Sequence, residues 1–170
     1  MQNARTEPPP ETPASQMTVH GVLIQVYGTG VLLTGPSGTG KSDCALELIM
    51  RGARLVADDA VVIERVDNIL KGRAPESTAG LLHIRGLGIV DVKKVFGTAA
   101  VVDSVVLSLC IDAEIRGEID PTPQLEMALQ DTEILGLRIP NLDLPITRER
   151  NLAALVETAV RVFESGSYCS

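Results

Sequence analysis

Apolar residues fall into short runs along this chain, punctuated by glycine, proline and charge, and few runs are long enough for a helix. Val19 to Tyr27 is predicted as a strand, Gly28–Thr29–Gly30 as a tight turn, and Val31 to Thr34 as a short buried strand. A glycine-rich segment follows, then a helix from about Lys41 to Arg51 that Gly52 closes. Leu55 to Ala57 reads as a strand ending in Asp58–Asp59, and Ala60 to Arg65 continues extended. Asp67 to Gly80 has no period and reads as a connection. Leu81 to Ile84 and Ile89 to Val92 flank a Gly86–Leu87–Gly88 turn, and Val105 to Ile111 is a further apolar strand. A polar stretch with Pro121 and Pro123 leads to Ile134–Leu135–Gly136. From Glu149 to Phe163, Leu152, Leu155, Val156, Ala159 and Phe163 recur at helical spacing, which predicts an amphipathic helix. Residues 1–16 carry four prolines and little apolar bulk, the pattern of a disordered leader. Residues 17–170 are then one α/β domain.

Composition narrows the partners. Hydrophobic residues make up 45% and charged residues 22%, enough to bury a core, but only 2% are aromatic, so Val, Leu, Ile and Ala must build it. A net charge of −7 repels phosphate backbones and few rings are present for bases to stack on, which argues against nucleic acid as a partner. Cys44, Cys110 and Cys169 form no CxxC pair, so neither a disulfide framework nor a zinc site is expected, and the reducing cytoplasm is the expected setting. The longest apolar stretch, Ala99 to Ile111, is interrupted by Asp103, Ser104 and Ser108 and is too short to span a bilayer, so no membrane association is expected.

One string carries chemistry. Gly35-Pro36-Ser37-Gly38-Thr39-Gly40-Lys41-Ser42 fits G-x-x-x-x-G-K-[ST] between a predicted strand and a predicted helix. Glycines let backbone N–H groups curl around a phosphate, and the helix N-terminus adds about half a positive charge. Lys41 adds a full charge for the β- and γ-phosphates of a nucleotide, and the Ser42 hydroxyl can complete a magnesium shell. Cys44 falls in the first turn of the helix, where a small buried residue without chemistry is the expectation.

The interval from Lys41 to Asp58 fits a helix, a return and a strand parallel to the first, with Asp58–Asp59 at the edge that holds the phosphate loop. Alternation along a strand predicts that the two aspartates point to opposite faces. One can accept a proton from an attacking hydroxyl while the other holds magnesium. No N-K-x-D, D-x-x-G switch or L-S-G-G-Q string occurs, which points away from GTPases and transport ATPases and towards a kinase with its own base.

His20-Gly-Val-Leu-Ile-Gln-Val-Tyr-Gly28, the Gly35–Ser42 loop, Leu55-Val-Ala-Asp-Asp59, Ile84-Arg-Gly-Leu-Gly-Ile89, Glu133-Ile-Leu-Gly136 and Arg150–Asn151 together resemble the HPr kinase/phosphorylase family. The resemblance spans about Val19 to Phe163, the catalytic domain, and implies a short form without a separate N-terminal domain. It implies a P-loop kinase fold related to phosphoenolpyruvate carboxykinase, with a central mixed sheet and flanking helices. It also implies a cytoplasmic, ATP- and Mg²⁺-dependent kinase acting on a serine of the phosphocarrier HPr or a similar carrier, in control of carbohydrate metabolism. In the reverse direction phosphate removes the group and pyrophosphate is released. Asp58 matches the acid/base aspartate, Lys41 the phosphate lysine, Ser42 the magnesium serine and His20 an active-site histidine. Arg85 and Arg150 fall in matching strings, and Asp59 is the expected second metal ligand. A homo-oligomer, with a hexamer as one form, is the family's habit.

Three positions depart from the family pattern. His83 stands where a magnesium-binding Glu is usual, and a neutral imidazole suits a hard cation poorly. The catalytic arginine falls on Gln124, with Arg116 the nearest substitute. Arg148-Glu149-Arg150-Asn151 replaces P-G-R-N, the turn linked to dephosphorylation. Two other readings stand beside the protein kinase: a nucleotide-binding regulatory module with weak or no transfer, and a small-molecule kinase.

Overall fold

The computed structural model describes residues 15–117 and 127–169. Its strands are β1 (Gln16–His20), β2 (Val22–Val26), β3 (Thr29–Thr34), β4 (Arg54–Ala57), β5 (Ala60–Val66), β6 (Ile69–Arg73), β7 (Leu81–Ile84), β8 (Gly88–Asp91), β9 (Ser104–Ile115), β10 (Met127–Ala128), β11 (Gln130–Ile134), β12 (Leu137–Ile146) and β13 (Tyr168–Cys169). Its helices are α1 (Lys41–Met50), α2 (Val92–Phe96) and α3 (Leu152–Ser165). Gln124 and the Pro121–Pro123 stretch lie outside the described residues, as do positions 1–14 of the expected leader. The leader's last position is a correction: Gln16 pairs with Glu64, so β1 begins there.

Nine strands form one mixed sheet in the order β1-β5-β6-β9-β3-β2-β4, with β12 beside β9 and β11 beside β12. The apolar run after residue 18 is not one strand. It breaks at Gly21, where a Cβ would lie 2.7 Å from the Leu33 carbonyl oxygen, and β1 leaves to pair with β5 while β2 pairs with β3 and β4. The following turn is Tyr27–Gly28, with φ of 51° and 90°, because Thr29 already pairs with Val26. Since β2 is antiparallel to both neighbours, β3 and β4 run parallel as the spacing predicts, but with β2 between them.

Burial on both faces explains why β2 and β3 read as unbroken apolar runs. Val22, Ile24, Val26, Val31 and Leu33 face α1 and α3, joining Ala45, Leu48, Val156 and Val160 in one core. Leu23 and Leu32 face the other way, into a second core with Val61, Ile63, Leu70 and Leu107, because β5 and β6 curl over that face. The approach there is close: a Cβ on Gly72 of β6 would lie 2.2 Å from Leu23 Cδ2.

Two long segments depart from expectation. Asp67 to Gly80 contains β6, hidden because Lys71, Gly72 and Arg73 dilute its apolar signal. The ten residues of β12 contain Pro140 and Pro145, which argue against a strand. Each proline sits where β12 has one paired neighbour, Pro140 opposite Asp131 of β11 and Pro145 opposite Glu114 of β9, so the missing N–H interrupts no second ladder. The terminal helix starts at Leu152 rather than Glu149, because the Asn151 side chain accepts the Ala154 N–H and caps it.

Candidate active site

β3 delivers the chain to the glycine-rich loop at a tight place. Gly35 has φ of 132°, and a Cβ there would lie 2.1 Å from the Ala113 carbonyl oxygen, so only glycine fits. Gly38 and Gly40 follow at φ of 85° and 89°. Lys41, only 7% exposed, folds back so that Nζ donates to the carbonyls of Gly35 at 2.7 Å and Pro36 at 2.9 Å. Burial pushes its ammonium below the ordinary lysine value, while the carboxylates of Asp58, Asp112 and Asp59 oppose that shift. Cys44 is buried and its thiol is pushed up to about 12, so it stays protonated and inert.

Asp58 is 6% exposed and both its oxygens are engaged. Oδ1 accepts from the Ser42 hydroxyl at 2.8 Å, and Oδ2 accepts from the His83 backbone N–H at 2.9 Å. Asp59 is exposed, and its Oδ1 lies 3.1 Å from His20 Nδ1. The same ring nitrogen is 3.0 Å from the Asp59 carbonyl oxygen. The two aspartates do diverge, but not through strand pleating. β4 ends at Ala57, and the left-handed φ of 68° at Asp59 turns the second carboxylate outward.

The opposite wall is the β7–β8 hairpin. Leu82 and Ile84 are buried against the core, while the alternate residues His83 and Arg85 are exposed. A Cβ on Gly38 would lie 4.0 Å from Arg85 Nη2, so the guanidinium reaches the glycine-rich loop. Between these elements lies a cavity of about 380 Å³ lined by His20, Gly21, Val22, Ser37, Gly38, Gly40, Lys41, Ser42, Asp43, Asp58, Asp59, His83, Arg85 and Gly86.

Most residues singled out from the sequence therefore meet in one cavity. Gly35, Pro36 and Thr39 stand behind it as the loop's frame, with the Pro36 carbonyl accepting from Thr39 and Lys41. Arg116 is elsewhere, paired with Glu114 at the end of β9, and Arg150 sits in the turn before α3; neither lines the cavity. The sequence reading missed Gly21, Val22, Asp43 and Gly86 as lining residues, along with the His83 N–H as a ligand of Asp58. Gly21, Val22 and Gly86 had a signal, their places in the His20–Gly28 and Ile84–Ile89 strings, whereas Asp43 had none.

The HPr Serine kinase C-terminal domain family matches residues 11–169. The chain belongs to this family. An HPr kinase/phosphorylase of Alkaliphilus metalliredigens is 46% identical over 155 residues, covering 89% of this chain and 49% of that protein. An HPr kinase/phosphorylase of Caldicellulosiruptor bescii is 47% identical over 147 residues, covering 86% of this chain and 47% of its own. The solved Hpr(Ser) kinase/phosphatase from Coxiella burnetii superposes with a TM-score of 0.82 at 35% identity, covering 88% of this chain and 92% of that one. The chain thus spans about half the length of the curated relatives it matches and nearly all of that structure.

A magnesium ion fits the residues of this family member's cavity. The Ser42 hydroxyl donates a hydrogen bond to Asp58, which leaves the oxygen lone pairs free for a cation, and Asp59 offers an exposed hard oxygen to the same cavity. Among the described residues no three His, Cys, Asp or Glu side chains form a cage. The set suits a metal whose shell is completed by phosphate oxygens and water. No helix among the described residues is long and apolar enough to cross a membrane.

Proposed function

We propose that this domain transfers the γ-phosphoryl group of ATP to a serine of HPr or a closely similar carrier, in the cytoplasm and with Mg²⁺. The supporting observation is Asp58, held between the Ser42 hydroxyl and the His83 N–H at the mouth of the phosphate loop. A carboxylate fixed from both sides is poised for one proton transfer rather than free to swing. Lys41 exchanges its two loop carbonyls for phosphate oxygens when the nucleotide arrives, and Arg85 adds a second positive charge across the loop. Magnesium, when bound, offsets charge on the β- and γ-phosphates. Ser42 and Asp59 would hold it, with His20 positioning Asp59.

As the serine oxygen bonds to the γ-phosphorus and the bond to ADP breaks, the serine proton passes to Asp58. In reverse, inorganic phosphate takes the group as pyrophosphate and Asp58 returns the proton to the serine oxygen. Arg116 and Arg150 stand outside the cavity, so the forward step is assigned to Asp58, Lys41 and Arg85. His83, in place of a carboxylate, favours a second reading in which nucleotide binds but transfer is slow. Incubation with labelled ATP, Mg²⁺ and purified HPr separates the two: phosphoserine on HPr supports the kinase, whereas ATP binding without it supports the regulatory module. Label on a free metabolite alone overturns both.

A further inference from the structure

Two of the most exposed large apolar side chains among the described residues sit on the hairpin that walls the cavity: Leu87 is 75% exposed and Ile89 is 71% exposed. Their placement follows from register. His83 pairs directly with Ile89 across β7 and β8, and directly opposed residues project from the same face of a two-stranded ribbon. That face carries His83 to the cavity, and the reverse face buries Leu82 and Ile84. Leu87 lies between Gly86 and Gly88, with φ of 86° and 88°, in the turn that also brings Arg85 and Gly86 to the cavity. The apolar step at Ile89 and Leu87 is therefore continuous with the cavity wall at His83 and Arg85.

Its position within the site selects the occupant. The His83 N–H holds Asp58, the proposed proton acceptor, and the His83 side chain shares its ribbon face with Ile89, so the apolar step lies one cross-strand pair from the residue that fixes the base, at the rim of the cavity. The adenine of ATP hangs from the far end of a triphosphate whose γ-end lies at Lys41 and Ser42. Building on the protein-kinase reading above, we infer that Leu87 and Ile89 are a docking step for the protein substrate, receiving an apolar side chain that stands beside its acceptor serine. Such a contact gives the site a means of choosing among serines, which phosphate-loop contacts to ATP cannot supply.

The test compares wild type, Leu87→Ser/Ile89→Ser and, as a control for exposed apolar area, Met50→Ser at the far end of α1, all on the full chain with purified HPr. The double variant is expected to raise KM for HPr by about tenfold or more, the scale of losing apolar anchors at an interface, with kcat at saturating HPr and ATP affinity nearly unchanged. Met50→Ser is expected to match wild type. If the double variant melts early, Ile89→Thr, which keeps the β-branched shape, carries the comparison with a smaller rise. An unchanged KM for HPr overturns the inference. A parallel loss of ATP affinity overturns it in favour of a nucleotide contact, and loss of self-association at unchanged KM reassigns the face to a second copy of the chain. If wild type transfers nothing, calorimetric binding of HPr is read directly. Binding that the double variant weakens supports the docking step while the kinase reading fails, and no binding overturns both.

Discussion

Replacing Asp58 by Asn separates its chemistry from its structural role, because the two side chains have the same shape. Asn can turn its carbonyl oxygen to the His83 N–H and its amide to Ser42 Oγ, since a hydroxyl accepts as readily as it donates. Both hydrogen bonds survive, but as neutral ones. A charge-assisted bond contributes about 1.5–3 kcal/mol and a neutral one about 1 kcal/mol, so the fold loses about 1–2 kcal/mol after the cost of burying a carboxylate is removed. Asp58→Ala leaves the His83 N–H without this partner and is expected to lose about 1–3 kcal/mol more. Transfer behaves differently. Asn cannot take the serine proton, so the rate is expected to fall about 10²–10⁴-fold, equivalent to about 2.7–5.4 kcal/mol of barrier, in Asn and Ala alike. Quenched-flow transfer from labelled ATP to HPr reads the rate, thermal melting reads stability, and titration calorimetry is expected to show nearly unchanged ATP affinity in the Asn variant. Transfer within tenfold of wild type in Asp58→Asn refutes the base assignment. Melting of Asp58→Asn as early as Asp58→Ala refutes the hydrogen-bond argument.

Lys41→Ala removes the cation held over the loop and is expected to abolish detectable transfer and weaken ATP binding severely, with the fold kept; wild-type ATP affinity by calorimetry counts against the site. His83→Glu puts a carboxylate on the cavity wall next to Asp58 and is expected to raise magnesium affinity or transfer rate; identical magnesium titrations of the two proteins would leave His83 without a role in metal binding. On the far surface, the Tyr27 hydroxyl, with Arg51 and Arg161, holds the Glu157 carboxyl down to about 2 from an ordinary 4.5. A depressed folded value means that its contribution is complete above about pH 4.5 and is lost as pH falls towards 2. Glu157→Gln is therefore expected to melt earlier than wild type near neutral pH, with the gap closing through that window. A gap that persists at about pH 2 counts against the assignment.

The sequence by itself determined what short-range geometry and composition control. The loop from Gly35 to Ser42 was legible because positive-φ glycines, one lysine and one serine at fixed spacing have few other uses between a strand and a helix. The helix after it, the aliphatic core and the return of Asp58 to the loop's edge follow from run lengths and from the residues needed to come back along a sheet. Tertiary structure decided the rest, because strand partners are chosen by which faces can be buried together, and no local pattern records that choice. It inserted β2 between β3 and β4, and it made strands of the Lys71–Arg73 segment and of the proline-bearing β12 by giving each a neighbour. It also joined groups far apart in the chain. Asp58 is 25 residues from the His83 N–H that holds it, and Ile89 stands beside His83 only through the hairpin register. The sequence could name the glycine-rich loop, its lysine and serine, and the aspartate pair proposed to act with them. Only the curled sheet, burying both faces of β2 and β3, brought them round one cavity.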